Sequence, residues 1–86
     1  MNQPYSQKRE NKLIRRSFSE TVDEDELVWH RDEKDREITV TENTNWMFQF
    51  DNELPQLLKD VLFIPKNTYH RLIKGTGNLT LDIFEF

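Results

Sequence analysis

The sequence of 86 residues has no cysteine, only two glycines and three prolines, and no long apolar run. The absence of cysteine excludes disulfides and thiolate metal sites. Because no segment is apolar enough to span a bilayer or to act as a leader, we expect a cytoplasmic protein without a membrane partner. A chain this short forms at most one domain of marginal stability, which favours a homodimer.

Charge is distributed unevenly along the chain. Residues 1–16 hold five basic residues and one glutamate, a net of +4, so the overall charge of −4 leaves −8 on residues 17–86. An acidic body repels phosphate backbones, which argues against nucleic-acid binding except through this basic tail. Because few apolar residues anchor residues 1–16, we predict a disordered or extended N-terminal arm ahead of a domain spanning residues 17–86.

Short apolar segments separated by turns predict an all-β fold. Apolar and polar residues alternate where strands are expected, and no segment keeps a helical period over three turns. Residues 54–60 are interpreted as an edge strand or a loop, because Pro55 cannot donate to a central ladder. Six or seven short strands indicate a sandwich or a barrel. The expected strands are residues 27–30, 37–41, 46–50, 61–64, 69–73 and 79–84.

Residues 60–74 predict a strand, a tight turn and a second strand. Pro65 ends the first strand, Asn67 suits a left-handed backbone in the turn, and His70 lies on the second strand. This segment resembles the second motif of the cupin family, with Asn67 in place of the usual glycine. The resemblance implies a small cupin-like, jelly-roll type β-barrel in which His70 points inward.

The first cupin motif has fewer matching residues. His30 matches one histidine of that motif, Asp32 stands where a second histidine is usual, and either Arg36 or Glu37 falls near the metal-binding glutamate. The resemblance covers roughly residues 26–85. It extends to small single-domain cupin-like proteins of tailed bacteriophages, which implies a viral protein in the host cytoplasm.

A metal site is one hypothesis for these residues. His30 and His70, with Asp32 or Glu37 as the carboxylate, form a donor set suited to Zn, Fe, Ni or Mn. His30 and Asp32 are two residues apart, so they share a face if the strand continues through them. The alternative is that His30 ends a strand and that His70 is a hydrogen-bonded histidine of the barrel.

A site for a small ligand is a second hypothesis. Besides the two histidines, its candidates are Trp46 and Tyr69, which could line an apolar pocket, and Arg36 and Arg71. Arginines bind carboxylates and phosphates by paired hydrogen bonds, so convergent arginines, with Arg31 a further one, would indicate an anionic ligand. The alternatives are that the aromatic residues fill the core and that the arginines pair with nearby acidic residues.

Three functions are consistent with this sequence. The first is a binding module that holds a small ligand or a metal in its barrel. The second is an accessory protein that binds a host or viral protein, and the third is a metal-dependent enzyme of the cupin type. Because the first motif is incomplete, we place the binding module first and the enzyme third.

Overall fold

The computed structural model describes residues 4–86 and contains eight strands within them. The strands are β1 (Ser6–Glu10), β2 (Leu13–Phe18), β3 (Arg36–Val40), β4 (Met47–Phe50), β5 (Gln56–Leu57), β6 (Val61–Ile64), β7 (His70–Ile73) and β8 (Leu79–Glu85). One turn of 3₁₀ helix covers Glu24–Glu26. In the described part of the chain, no helix is long and apolar enough to cross a membrane. The predicted all-β class is confirmed.

The strands form two antiparallel sheets that enclose one core. The larger sheet has the order β1-β2-β8-β3-β6, and the smaller has the order β5-β4-β7. Apolar side chains from both sheets and from the loops between them fill the interior. The buried members are Ile14, Phe18, Val22, Ile38, Trp46, Phe48, Leu58, Ile64, Leu79, Leu81 and Ile83.

Strand β8 shows how the sequence pattern produces this core. Leu79, Leu81 and Ile83 occupy alternate positions and are each at most 3% exposed, because side chains two residues apart lie on one face of a strand. Strand β8 pairs with β2 on one side and with β3 on the other. Glu85 continues the inward series as a buried carboxylate, which brings a charge to the end of the core.

The predicted turn between β6 and β7 is confirmed. Asn67 has φ 60°, the left-handed conformation that asparagine tolerates better than most residues. The turn also holds the loop at residues 31–35: Asn67 N donates to Asp32 O at 2.7 Å, and Lys66 N donates to Asp35 Oδ1 at 2.7 Å. These bonds position Asp32 next to the start of β7.

The N-terminal arm is extended, the second of the two predicted alternatives, because it forms two strands. Strands β1 and β2 form a hairpin around Asn11, which has φ 56°, and β2 pairs along its whole length with β8. Ile14 and Phe18 anchor β2 because both are buried in the core. The hairpin therefore belongs to the barrel, whereas residues 1–3 of the predicted tail lie outside the described residues.

The prediction of a strand at residues 27–30 is wrong. Only His30 pairs, in an isolated bridge with His70, while Val28 and Trp29 are 59% and 41% exposed. High β propensity at Leu27, Val28 and Trp29 is overridden because pairing with β7 is limited to His30, and no ladder forms along the three residues before it.

Three phenylalanine rings form an exposed group on the outer face of the larger sheet. Phe63, Phe84 and Phe86 are 49%, 40% and 57% exposed, and their rings contact one another at centroid distances of 5.2 and 6.2 Å. Exposed apolar groups of this kind are suited to contacts between proteins. The homodimer and the protein partner stay predictions.

Candidate metal centre

His70 is the first residue of β7 and is 4% exposed. Its Nδ1 lies 2.8 Å from Thr68 O. A carbonyl oxygen can only accept, so Nδ1 carries a hydrogen, and Nε2 is the ring nitrogen left to bind a metal ion. The ring stacks on Phe48 at 5.3 Å between centroids, which holds its plane. His70 therefore presents Nε2 to the interior.

His30 lies opposite His70 and is likewise anchored through a backbone carbonyl. Its backbone exchanges two hydrogen bonds with His70, at 3.0 and 2.9 Å, and its Nδ1 lies 3.0 Å from Val28 O. The two imidazole rings meet edge to face at 4.4 Å between centroids. Although much of His30 is exposed at the cavity mouth, its Nε2 is left free by the same carbonyl anchoring.

Asp32 completes a group of three potential ligands. Its Oδ1 is 3.2 Å from Arg36 Nη1, and its Oδ2 is 3.3 Å from His70 Nε2. That second contact lacks hydrogen-bond geometry, so Oδ2 is a buried acceptor without a donor among the described residues. One ligand atom from each of His30, Asp32 and His70 lies within 4.8 Å of the others. Atoms bound about 2.0–2.2 Å from one ion are themselves roughly 3–3.5 Å apart. The three residues therefore fit a metal ion after a small inward movement.

The protonation states at the centre favour a cation. Burial is the largest cause that lowers the pKa of His30, which keeps its ring neutral at neutral pH. Burial raises the pKa of Asp32, but the imidazole of His70 and the guanidinium of Arg36 more than offset this and hold it below its ordinary value. A neutral imidazole and an ionised carboxylate are the forms that bind metal ions.

A series of ion pairs connects Asp32 to Arg36, Glu85 and Arg9 on the side away from the histidines. Arg36 contacts Asp32 through Nη1 and donates from Nε and Nη2 to Glu85 Oε2 at 2.9 and 2.7 Å. Arg9 donates to the other oxygen of Glu85 at 2.8 Å. Burial raises the pKa of Glu85, yet the hydrogen bonds from Arg36 and Arg9 outweigh it, and the pKa lies below its usual value. The guanidinium of Arg36 is thereby fixed between two carboxylates.

Glu85→Gln is expected to destabilise the fold at neutral pH by roughly 1–3 kcal/mol, because it removes charge-assisted hydrogen bonds from Arg36 and Arg9. A lowered carboxyl pKa contributes stability above the unfolded value, about 4.3, and that contribution is lost as the pH falls through the lower folded value. Urea unfolding at pH 7 and pH 3 should therefore show a difference between wild type and variant that is smaller in acid.

Asp82→Asn is the matched control for Glu85→Gln. Asp82 pairs with Arg15 at 2.8 Å, but the Arg15 side chain is 61% exposed, so the loss should stay below about 1 kcal/mol. Equal losses in the two variants, or a Glu85→Gln loss that is undiminished at pH 3, would contradict a structural role for the buried ion pairs.

A cavity of about 320 Å³ opens beside the three ligands. Its volume lies at the lower end of the range for small-molecule sites. The charged residues on its wall are Arg16, Glu26, Asp32 and Arg36, and the remainder is mainly apolar. The apolar side chains come from both sheets and include Phe18, Leu27, Ile38, Phe48, Ile64, Leu72, Leu81 and Ile83.

The structure brings four of the predicted site residues together. His30, Asp32, Arg36 and His70 all line the cavity. Glu37, the alternative carboxylate ligand, instead lies on the opposite face of β3 from buried Ile38. There it is aligned with the exposed residues Phe63 and Phe84 of the neighbouring strands. Adjacent side chains on a strand point to opposite faces of the sheet. Of the two neighbouring candidates, Arg36 therefore faces the cavity and Glu37 points away from it.

The other predicted ligand-binding residues lie away from the cavity. Trp46 is fully buried in the core, where its Nε1 donates to Gly77 O at 3.0 Å. Tyr69 is 45% exposed and lies beneath the guanidinium of Arg31. Arg71 donates to Gln49 Oε1 and lies 4.6 Å above the ring of Trp29. Arg31, Arg36 and Arg71 therefore do not converge on a common ligand.

Besides Glu26 on the cavity wall, sequence reasoning missed the charged residues Arg16 and Glu85 at this end of the barrel. Both occupy inward positions of their strands, since Arg16 alternates with Ile14 and Phe18, and Glu85 follows Leu79, Leu81 and Ile83. A charged residue at an inward position of an alternating apolar pattern could have identified both. At Arg16 the pattern was not recognised, because residues 1–16 were interpreted as a tail and not as a strand.

No protein-family model matches this chain, and no curated protein matches it either. Several solved structures are similar in fold. Protein NMB1881 from Neisseria meningitidis aligns with a TM-score of 0.63 at 14% identity, over 95% of this chain and 81% of that one. Iron(II) HppE in complex with substrate aligns with a TM-score of 0.68 at 19% identity, over 100% of this chain and 55% of that one.

A structure from a study of DMSP lyases aligns with a TM-score of 0.67 at 18% identity, over 86% of this chain. The chain spans only 37% of that protein and about half of HppE, so their activities do not transfer to it. At these identities the likeness concerns the fold. The two facing antiparallel sheets, the inward His70 and these neighbours together show that this chain has a small cupin-like β-barrel fold.

Proposed function

We propose that this protein is a metal-binding cupin-like module that holds a divalent first-row transition metal on His30, Asp32 and His70. The cavity beside the three ligands would receive a small molecule. The proposal narrows the binding-module hypothesis to one site and one donor set. It is supported by the shape of the site and by the forms in which its ligands are held.

The observation that carries the proposal is the contact between His70 Nε2 and Asp32 Oδ2. Because Nδ1 of His70 carries a hydrogen, Nε2 faces Asp32 Oδ2 at 3.3 Å as a second acceptor whenever the ring holds a single proton. Two buried acceptors in contact are unfavourable unless a proton or a cation lies between them. A divalent ion bound to both atoms and to His30 would remove this conflict.

The donor set indicates which ions are suitable. Two imidazoles and one carboxylate that leave open coordination positions are typical of non-haem iron(II) sites and are also found with zinc. A bound ion of this kind would supply Lewis acidity, and iron would add redox chemistry. The chain itself would orient the imidazoles through the carbonyls of Thr68 and Val28, and it would keep the apolar side of the cavity dry.

Metal-loaded wild-type protein is expected to retain about one equivalent of zinc, nickel or iron(II), and less manganese, following the usual order of affinities. The test starts from chelator-treated protein that is incubated with each ion, with iron kept anaerobic, then dialysed and measured by elemental analysis. Retention of less than about a tenth of an equivalent for all four ions would contradict the proposal.

A metal-dependent enzyme is the second candidate. It is favoured by the position of the three ligands at the wall of the cavity, where a small molecule would reach the open side of a bound ion. The similarity in fold to iron(II) HppE makes this worth considering, although it identifies no reaction for this chain.

A further inference from the structure

Arg16 is a charged residue at an inward-facing position of the barrel. It alternates on β2 with the buried residues Ile14 and Phe18, and it pairs across the sheet with buried Leu81. Its side chain reaches the same cavity wall as His30, Asp32 and His70. An apolar residue would pack better at such a position, so the charge of Arg16 is unusual there.

The guanidinium of Arg16 has no acidic partner among residues 4–86. Nε and Nη2 both donate to the neutral Gln7 Oε1, at 3.0 and 2.8 Å, and the ring of Tyr5 lies 3.9 Å from the guanidinium carbon. Arg16 is half-buried, and burial is the main reason that its pKa is lowered. Charges in such surroundings are normally paired.

Other arginines of the barrel show the difference. Arg36 lies on the same cavity wall but is neutralised by Asp32 and Glu85. Arg9 and Arg15, on the same hairpin as Arg16, pair with Glu85 and Asp82. All three have carboxylate partners, so Arg16 is the one placed to bind an anion that enters the cavity.

The charge balance of the cavity leads to the same conclusion. The positive charges of Arg16 and Arg36 are matched on the wall by the negative charges of Glu26 and Asp32. A divalent cation at the three ligands would therefore leave two positive charges in excess. Arginine binds the two oxygens of a carboxylate or phosphoryl group with parallel hydrogen bonds. The apolar remainder of a cavity of about 320 Å³ fits a short hydrocarbon body.

We propose that Arg16 is the anchor of an anion subsite, and that the ligand of the cavity is a small organic acid with a carboxylate or phosphoryl group and a short apolar body. The anionic group contacts Arg16, and the rest of the molecule extends towards His30, Asp32 and His70. This inference deepens the proposed function and rests on it for the second half of the ligand site, but the arginine can be tested separately.

Arg16→Gln is expected to weaken binding of methylphosphonate and of butyrate by about ten- to hundred-fold, as measured by isothermal titration on zinc-loaded protein. The matched control is Arg15→Gln. It makes the same charge change on the adjacent residue of β2, which faces outward and pairs with Asp82. Arg15→Gln should change binding by less than about threefold. The stronger of the two probes in wild type identifies the phosphoryl or the carboxylate class.

Thermal unfolding without added ligand checks that the variant is folded. Arg16→Gln loses its hydrogen bonds to Gln7 and its contact with Tyr5, so it should unfold about a few degrees below wild type but stay folded at the temperature of the titration. Equal weakening of probe binding in the Arg16 and Arg15 variants would overturn the inference. So would a wild type that binds neither probe at millimolar concentration.

The metal content of each sample separates this inference from the proposed function. Arg16→Gln should keep the same zinc content as wild type, because Arg16 is not among the three ligands. If wild type retains no zinc but binds a probe through Arg16, the metal proposal fails and the anion subsite stands. If zinc is retained and Arg16 has no effect on either probe, the subsite fails and the metal centre stands.

Discussion

His70→Ala is expected to reduce the affinity for zinc by at least about a hundredfold. Loss of residues that only support a metal ligand already costs about 10–100-fold, and in the proposed centre His70 supplies a ligand atom and contacts Asp32. Zinc competition with a chromogenic chelator measures the effect. The circular dichroism of the metal-free variant should remain that of an all-β protein, because the change removes one ring stacked on Phe48.

Asp32→Asn and Glu37→Gln form the matched pair for this experiment. Both remove one carboxylate charge from neighbouring parts of the chain, but only Asp32 lies with the two histidines. Asp32→Asn should weaken zinc binding by about tenfold or more, and Glu37→Gln should leave it unchanged. If His70→Ala binds zinc with the affinity of wild type, His70 is a structural, hydrogen-bonded histidine of the barrel and not a metal ligand.

Trp46→Ala is expected to unfold much of the protein at room temperature. Trp46 is fully buried, contacts Phe18 at 5.8 Å between centroids, and donates to Gly77 O. Replacing a buried tryptophan by alanine costs about 3–5 kcal/mol, and the whole stability of a domain this small is near the lower end of about 5–15 kcal/mol. Urea unfolding followed by circular dichroism measures the loss.

Trp29→Ala is the control for the tryptophan. Trp29 is 41% exposed and contacts Arg71 through its ring face, so its loss should cost about 1 kcal/mol or less. If Trp46→Ala stays folded but loses zinc or methylphosphonate binding, Trp46 belongs to the ligand site. Its position in the core predicts instead that the variant loses its fold.

Local patterns were sufficient for several parts of this protein. The alternation of Leu79, Leu81 and Ile83 predicted the last strand, and Pro65 and Asn67 predicted the turn that precedes His70. Such features depend on steric preferences within a few residues, which the sequence states directly. The same reasoning failed at Val28, where propensity indicated a strand. There the structure has no adjacent strand to complete the hydrogen bonds, and this condition is not local.

The sequence by itself determined an all-β chain with His70 on an inward strand and His30 as its candidate partner. Only the tertiary structure decided that Asp32 and not Glu37 joins them, because the pleat of β3 directs Glu37 outward, while the β6–β7 turn binds the loop that carries Asp32. It also decided that Arg16 reaches the cavity, since pairing of β2 with β8 brings together residues more than sixty positions apart. Long-range pairing of this kind selects which charges share a cavity, and no local spacing encodes it.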